Sequence, residues 1–230
     1  MCEGSTTDET DRWGRLLVLV AVLIMGSLLE AGEFRTVVLN EAVRLYAAGE
    51  YPQALAEIDE VEALLEGTPM KDEATLLRAQ IISFTKILER VQEAVRGSDA
   101  EAILRAIDDA DVLDRIIAPR GSGWREQGRK LRAWGYYLVA ARCERRELYG
   151  DADAWYQKCA AEDPARTECT GWLAAKPRLL QKLYLKAQLY QSYDPLQAMR
   201  FYHDICRMTE FTDEMNRKAR EELALTERPR

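Results

Sequence analysis

Apolar residues recur along most of this chain every three or four positions, the spacing of one face of an α-helix. The stretch DEATLLRAQIISFTKILERVQEAVRG, residues 72–97, shows the pattern clearly. Alternation of apolar and polar residues, the mark of a half-buried strand, is nearly absent. Ala, Leu, Glu, Arg and Gln dominate, and these form helices well. The pattern therefore predicts an all-α fold. Its punctuation is sparse but placed where helices should end. Gly97 suits a helix C-cap, and Ser98-Asp99 suit the N-cap of the next helix, which closes at Pro119-Arg-Gly-Ser-Gly. These two helices form a hairpin. Thr212-Asp-Glu opens a last helix, to about Leu225, that caps the stack.

One stretch departs from this pattern. From Trp13 to Phe34 the chain reads WGRLLVLVAVLIMGSLLEAGEF, with no charge between Leu16 and Leu29. A spanning helix needs about 20 apolar residues. The strict run is shorter, but Arg15 can snorkel outward and Trp13 and Phe34 stand where interfacial aromatics belong. A cleaved signal is the second reading. It lacks a positive leading region, since Glu3, Asp8, Glu9 and Asp11 oppose Arg12 alone, and LEA at Leu29–Ala31 is a poor cleavage site. A buried core helix is the third, and it would ordinarily keep polar punctuation and a cap. The membrane anchor is favoured. Arg12 and Arg15 before the run nearly balance Arg35 and Arg44 after it, and their closeness to the membrane mildly favours an inside N-terminus. That places the bulk of the chain in the periplasm, with the cytoplasm as the alternative.

The rest of the chain carries internal similarity. In residues 41–67, Ala42 is followed by Leu45, Tyr51, Ala54, Ile58 and Val61. In residues 139–164, Ala140 is followed at the same spacings by Cys143, Tyr149, Ala152, Tyr156 and Cys159. A third copy places Ala187, Tyr190, Ala198, Tyr202 and Ile205 almost identically, with a turn one residue shorter. A small residue in each of two antiparallel helices lets the backbones approach. The turn tyrosine wedges the pair, and a larger apolar residue one turn after the second alanine fills the interface. The hairpin contacts are thus Ala42, Tyr51, Ala54, Ala140, Tyr149, Ala152 and Ala198.

This pattern, with the AAGEY turn and the closing Asp163-Pro164, resembles the tetratricopeptide repeat. Glu147 departs from the family by standing where the turn glycine belongs, and residues 71–126 match poorly. The resemblance implies an α-solenoid of helical hairpins whose concave face takes a peptide or helix of a partner protein. The organisation expected is an acidic tail at 1–12 and a transmembrane helix at 13–34. A membrane-proximal half at 35–120 then holds one repeat-like and one irregular hairpin. A membrane-distal half at 124–230 follows the Gly121-Ser-Gly123 link.

Composition narrows the chemistry. The chain has 230 residues and a net charge of -7, which argues against nucleic acid as a partner. Its one histidine, His203, precedes Cys206 by three residues, and a single pair cannot close a zinc site. Nothing supplies an orienting group or an oxyanion hole for a Cys–His nucleophile. GSGWREQGRK lacks the ending of a phosphate loop. Asp108, Asp109, Asp111 and Asp114 are not in calcium-loop spacing and read as a solvated helix face. Tyrosines and tryptophans at helical spacing read as core. No enzyme, cofactor or metal is expected.

Cys2 lies too close to Met1 to follow a lipobox. Of the other cysteines, Cys143 and Cys159 fall at opposite ends of a hairpin, too far apart to bridge. Cys159 and Cys169 are symmetric about Pro164, where the chain should reverse. A disulfide between them is expected if this part lies outside the cytoplasm, unless residues 167–177 form a loop up to Pro177. The architecture implies a membrane-anchored scaffold or adaptor of a secretion, pilus or translocon assembly. A ring or homo-oligomeric component of a membrane machine stays open as the alternative.

Overall fold

The computed structural model describes residues 31–226. Trp13, Leu16 and Leu29, and with them the expected anchor, lie outside these residues; Phe34 falls in the first helix. Among the described residues there are nine helices and no strand. They are α1 Ala31–Ala47, α2 Tyr51–Leu64, α3 Pro69–Gly97, α4 Ala100–Ile117, α5 Trp124–Arg145, α6 Tyr149–Glu162, α7 Thr167–Tyr190, α8 Pro195–Met208 and α9 Glu214–Thr226. No helix among them is long and apolar enough to cross a membrane.

The described chain forms two units. One holds residues 31–83 with Ile116–Ser122, the other Phe84–Arg115 with the residues from Gly123 onward. Packing divides α3, and it groups most of the irregular hairpin with the repeats that follow it.

In the first unit α1 packs on α2. Ala42 and Ala54 are fully buried in this hairpin, with Tyr46 and Ile58 beside them. The turn closes when the Gly49 amide donates to the Tyr46 carbonyl and the Glu50 amide to the Leu45 carbonyl, each at 2.9 Å. Gly49 takes φ +85°, the left-handed conformation this helix ending requires. Pro52 sits in the first turn of α2, where no amide donor is missed. Arg78 of α3 pairs with Asp59 of α2 at 2.7 Å, and Thr75 donates to Glu62 at 2.7 Å.

In the second unit α3 ends at Gly97, but the left-handed residue that closes it is the next one. Ser98 takes the left-handed conformation at φ +52°. Asp99 caps α4, its Oδ1 accepting from the amides of Glu101 and Ala102 at 3.1 Å. The carboxylates expected on a solvated face of α4 divide. Asp108 and Asp109 are exposed, but Asp114 is buried and Asp111 partly so. Asp111 accepts from the Trp124 indole at 2.8 Å and pairs with Arg132 at 2.6 Å, while Arg125 lies 3.7 Å from Asp114. This corrects the sequence reading. Spacing alone does not show that α5 brings an indole and two arginines to half of the cluster.

The α5–α6 hairpin repeats the first in detail. Ala140 and Ala152 are fully buried. The Glu147 amide donates to the Glu144 carbonyl and the Leu148 amide to the Cys143 carbonyl, each at 2.9 Å. These are the counterparts of the Gly49 and Glu50 bonds. Glu147 adopts φ +55°, so a non-glycine residue accepts the strained conformation that Gly49 takes freely. The α7–α8 hairpin buries Ala187 and Ala198 equally, but its shorter turn is closed by Asp194, whose Oδ1 accepts from the Gln197 amide at 3.1 Å. Helix α9 packs on α8. It opens at Asp213, whose Oδ1 accepts from the Met215 amide at 2.7 Å. Buried Asn216 donates to the carbonyls of Cys206 and Thr209 at the end of α8.

The possibility of a loop up to Pro177 is overturned, since α7 runs unbroken from Thr167 with Pro177 inside it. An interior proline loses one backbone bond. Side chains anchor the preceding turns against α6, as described below, and hold them helical.

Replacing Glu147 with Gly should raise stability by about 0.5–1 kcal/mol. Relief of ~1–2 kcal/mol of left-handed strain exceeds the worth of the exposed Glu147–Lys186 pair and the entropy of an added glycine. Urea unfolding of Glu147→Gly checks this, and an unchanged or lowered midpoint would show that the turn is not strained.

Candidate functional site

The chemistry-bearing residues of the second unit gather where α6 meets α7 and α8. At the C-terminal end of α6, Cys159 and Cys169 are joined in a disulfide with Cα atoms 6.1 Å apart, and both are fully buried. The reversal around Pro164 brings them together. Arg166 donates its amide to the Asp163 carbonyl at 3.1 Å, and the Ala165 amide donates to Asp163 Oδ1 at 3.2 Å. One turn further along α7, Asp153 of α6 is buried and accepts three hydrogen bonds. Their donors are Gln157 at 2.7 Å, the Trp172 indole at 3.2 Å and Lys176 at 2.8 Å. A buried carboxylate is tolerable only when paired and bonded in this way.

The N-terminal end of α6 is held by α8. Asp204 Oδ1 accepts from the Gly150 amide at 3.1 Å and Oδ2 from the Tyr149 amide at 3.3 Å. Burial pushes the Asp204 carboxyl above the usual carboxylate range, against the pull of those two amides and of Arg207 and Arg200. A Cβ on Gly150 would stand 2.9 Å from Asp204 Oδ1, so glycine is what lets the carboxylate reach the helix end. Arg207 pairs with Asp151, and Arg200 donates to the Arg146 carbonyl at 3.2 Å. Tyr149, expected as a wedge within its own hairpin, packs against the core of the following one. Tyr51 stays within its hairpin, its ring centroid 5.4 Å from that of Tyr46.

Cys143 and Cys206 are free thiols, and burial raises the pKa of both, which disfavours the nucleophilic thiolate. His203 is exposed on α8. No group of three or more His, Cys, Asp or Glu residues that could hold a metal occurs among the described residues. The aromatic residues of α5 to α7 are only partly core. Trp134 stacks near Tyr137, Tyr156 on Trp172, and Tyr136 lies against Trp155. Two of them are covered by cations of the chain itself: Lys158 sits 4.0 Å over Trp155, and Arg166 lies 5.3 Å over Trp134. A groove of about 240 Å³ between α3 and α5 is apolar, lined by Leu88, Val91, Val95, Trp124 and Leu131, with Arg96 as its charged member. A single guanidinium offers no acid–base pair.

What the second unit does present is a set of exposed apolar side chains at the end of α7, in the α7–α8 turn and at the start of α8. Leu185, Leu189, Tyr193 and Leu196 are 60%, 68%, 66% and 79% exposed. At about 100° per residue, Leu185 and Leu189 lie roughly opposite the buried face of α7 formed by Leu183 and Ala187. Exposed Phe211 differs, because the Arg220 guanidinium covers it at 3.5 Å.

Sequence reasoning missed Asp153, Asp204 and Asn216. Each is an acidic or amide residue on an otherwise apolar helix face, and that placement was the available signal.

The disulfide should prove both real and stabilising. Peptide mapping under non-reducing conditions should recover the Cys159–Cys169 pair, and Cys159→Ser with Cys169→Ser should lower stability by about 2–3 kcal/mol. Free alkylation of both thiols would refute it.

Compared with known proteins, the chain matches no family model, no curated protein and no solved structure.

Proposed function

We propose that this chain is a protein-interaction scaffold of a multiprotein envelope complex of secretion, pilus or translocon type. Residues 13–34 anchor it in the membrane, and hairpins of tetratricopeptide type, stacked as an α-solenoid, present a surface to a partner protein. The observation that carries the reading is the exposed Leu185 and Leu189 on α7, opposite its buried Leu183 and Ala187, with exposed Tyr193 in the following turn and Leu196 at the start of α8. Exposed contiguous apolar surface on an otherwise polar domain marks interaction sites. The repeat reading rests on the buried alanine pairs and on the matching turn bonds of the first two hairpins. Within the second unit, contacts of α6 with both α7 and α8 support stacking of successive hairpins. The Cys159–Cys169 bridge supports an oxidising compartment for this unit, hence the periplasmic side.

The full-length chain, expressed in membranes, tests this. It should stay in the pellet after carbonate extraction. Once extracted with mild detergent, it should sediment in an assembly larger than the same chain purified alone. Release by carbonate would overturn the anchor. Identical sedimentation before and after purification would overturn the scaffold.

A further inference from the structure

The charge around the apolar row identifies what would cover it. Between Glu168 and Asp194 the chain carries no carboxylate and four cations, Lys176, Arg178, Lys182 and Lys186, within a molecule of net charge -7; at the far end of the row, Asp194 is engaged as the cap of α8 and Glu222 accepts from Gln191 at 2.9 Å. Two of these are used internally: Lys176 pairs with Asp153 and Lys186 with Glu147. Arg178 and Lys182 are exposed and have no carboxylate partner among the described residues. They stand on the same stripe as the leucines, at positions 178, 182, 185 and 189, the alternating four- and three-residue spacing of a helix seam. The stripe is thus basic toward the middle of α7 and apolar toward its end and the first turn of α8.

We infer that this stripe is a docking site for an acidic amphipathic helix of a partner protein, a surface that deepens the scaffold reading and rests on it. The partner helix lays apolar residues at three- and four-residue spacing on Leu185, Leu189, Tyr193 and Leu196, and aspartates or glutamates opposite Arg178 and Lys182. Size and charge select this occupant over the others. Four side chains exposed to this degree make a patch on the order of 500 Å², typical of functional patches. That is less than the ~800 Å² per partner of a standard stable interface, so a second copy of the chain seated here would hold weakly. An anionic bilayer would meet two free cations but also the repulsion of an acidic molecule. One helix reads the local stripe alone. Charge at its rim sets register and encounter rate, while the leucines supply the buried area.

The probe is a labelled synthetic helix of about three heptads with leucines at seam positions and glutamates on its flanks, titrated against the purified full chain by fluorescence anisotropy. It should bind, and binding should weaken as salt is raised. Leu185→Glu with Leu189→Glu should weaken it by at least about tenfold. All the altered side chains are exposed, so thermal unfolding should be unchanged. Arg178→Glu with Lys182→Glu should weaken the acidic helix and strengthen a copy bearing lysines in place of its glutamates. This charge exchange keeps the claim open to refutation even if the leucine variant misfolds. Equal binding of both probes to the parent chain would overturn the inference. So would concentration-dependent dimerisation in sedimentation that Leu189→Glu abolishes, or binding to phosphatidylglycerol-containing vesicles that the same change abolishes. If no probe helix binds while the extracted chain still sediments in its larger assembly, this surface is wrong and the scaffold reading stands.

Discussion

Two helix backbones can come into contact only where no side chain stands between them. Each of the three hairpins here meets that condition with an alanine from each helix, Ala42 with Ala54, Ala140 with Ala152 and Ala187 with Ala198, all fully buried. Close approach at that point brings the larger residues one turn away into the same interface. Ile58 and Tyr202 are fully buried there, while Tyr156 keeps a thin exposed edge and donates its hydroxyl to Glu144 at 2.8 Å. The turns follow from the same constraint. Helices this close need a short reversal, and the reversal in the first two hairpins demands one left-handed residue.

In the second unit, both ends of α6 are fastened by groups that lie outside its own hairpin. Asp204 of α8 supplies acceptors to the first amides of α6, which have no partner within the helix. The disulfide and the Asp153 network bind its other end to α7. In α7 the packed face is the one that carries Leu183 and Ala187, with Lys176 tied to buried Asp153 and Lys186 paired at the surface with Glu147. Its other face carries leucines and, among the described residues, two cations without a carboxylate partner, Arg178 and Lys182.

Much of the fold was legible in the sequence because helical periodicity is written into each segment separately. The alanine spacings, the left-handed position at Glu147 and the symmetry of Cys159 and Cys169 about Pro164 are all local. What was not legible depends on which helices meet. Asp111 and Asp114 look solvated until α5 supplies Trp124, Arg132 and Arg125. Residues 167–177 look loop-like because of Pro177, and their helicity comes from Asp153 and Cys159 on another helix. The apolar row was hidden for the same reason. Leu183 and Leu185 are alike in sequence, and only the packing of α7 on α8 buries one and exposes the other.

Backbone contact at the paired alanines is the central claim, and the stability of enlarged variants tests it most directly. Ala54→Leu and Ala152→Leu, each measured by urea unfolding, should lower stability by about 1–3 kcal/mol, because no space exists for the added methyl groups without separating the helices. Unfolding midpoints unchanged from the parent chain in both variants would contradict it.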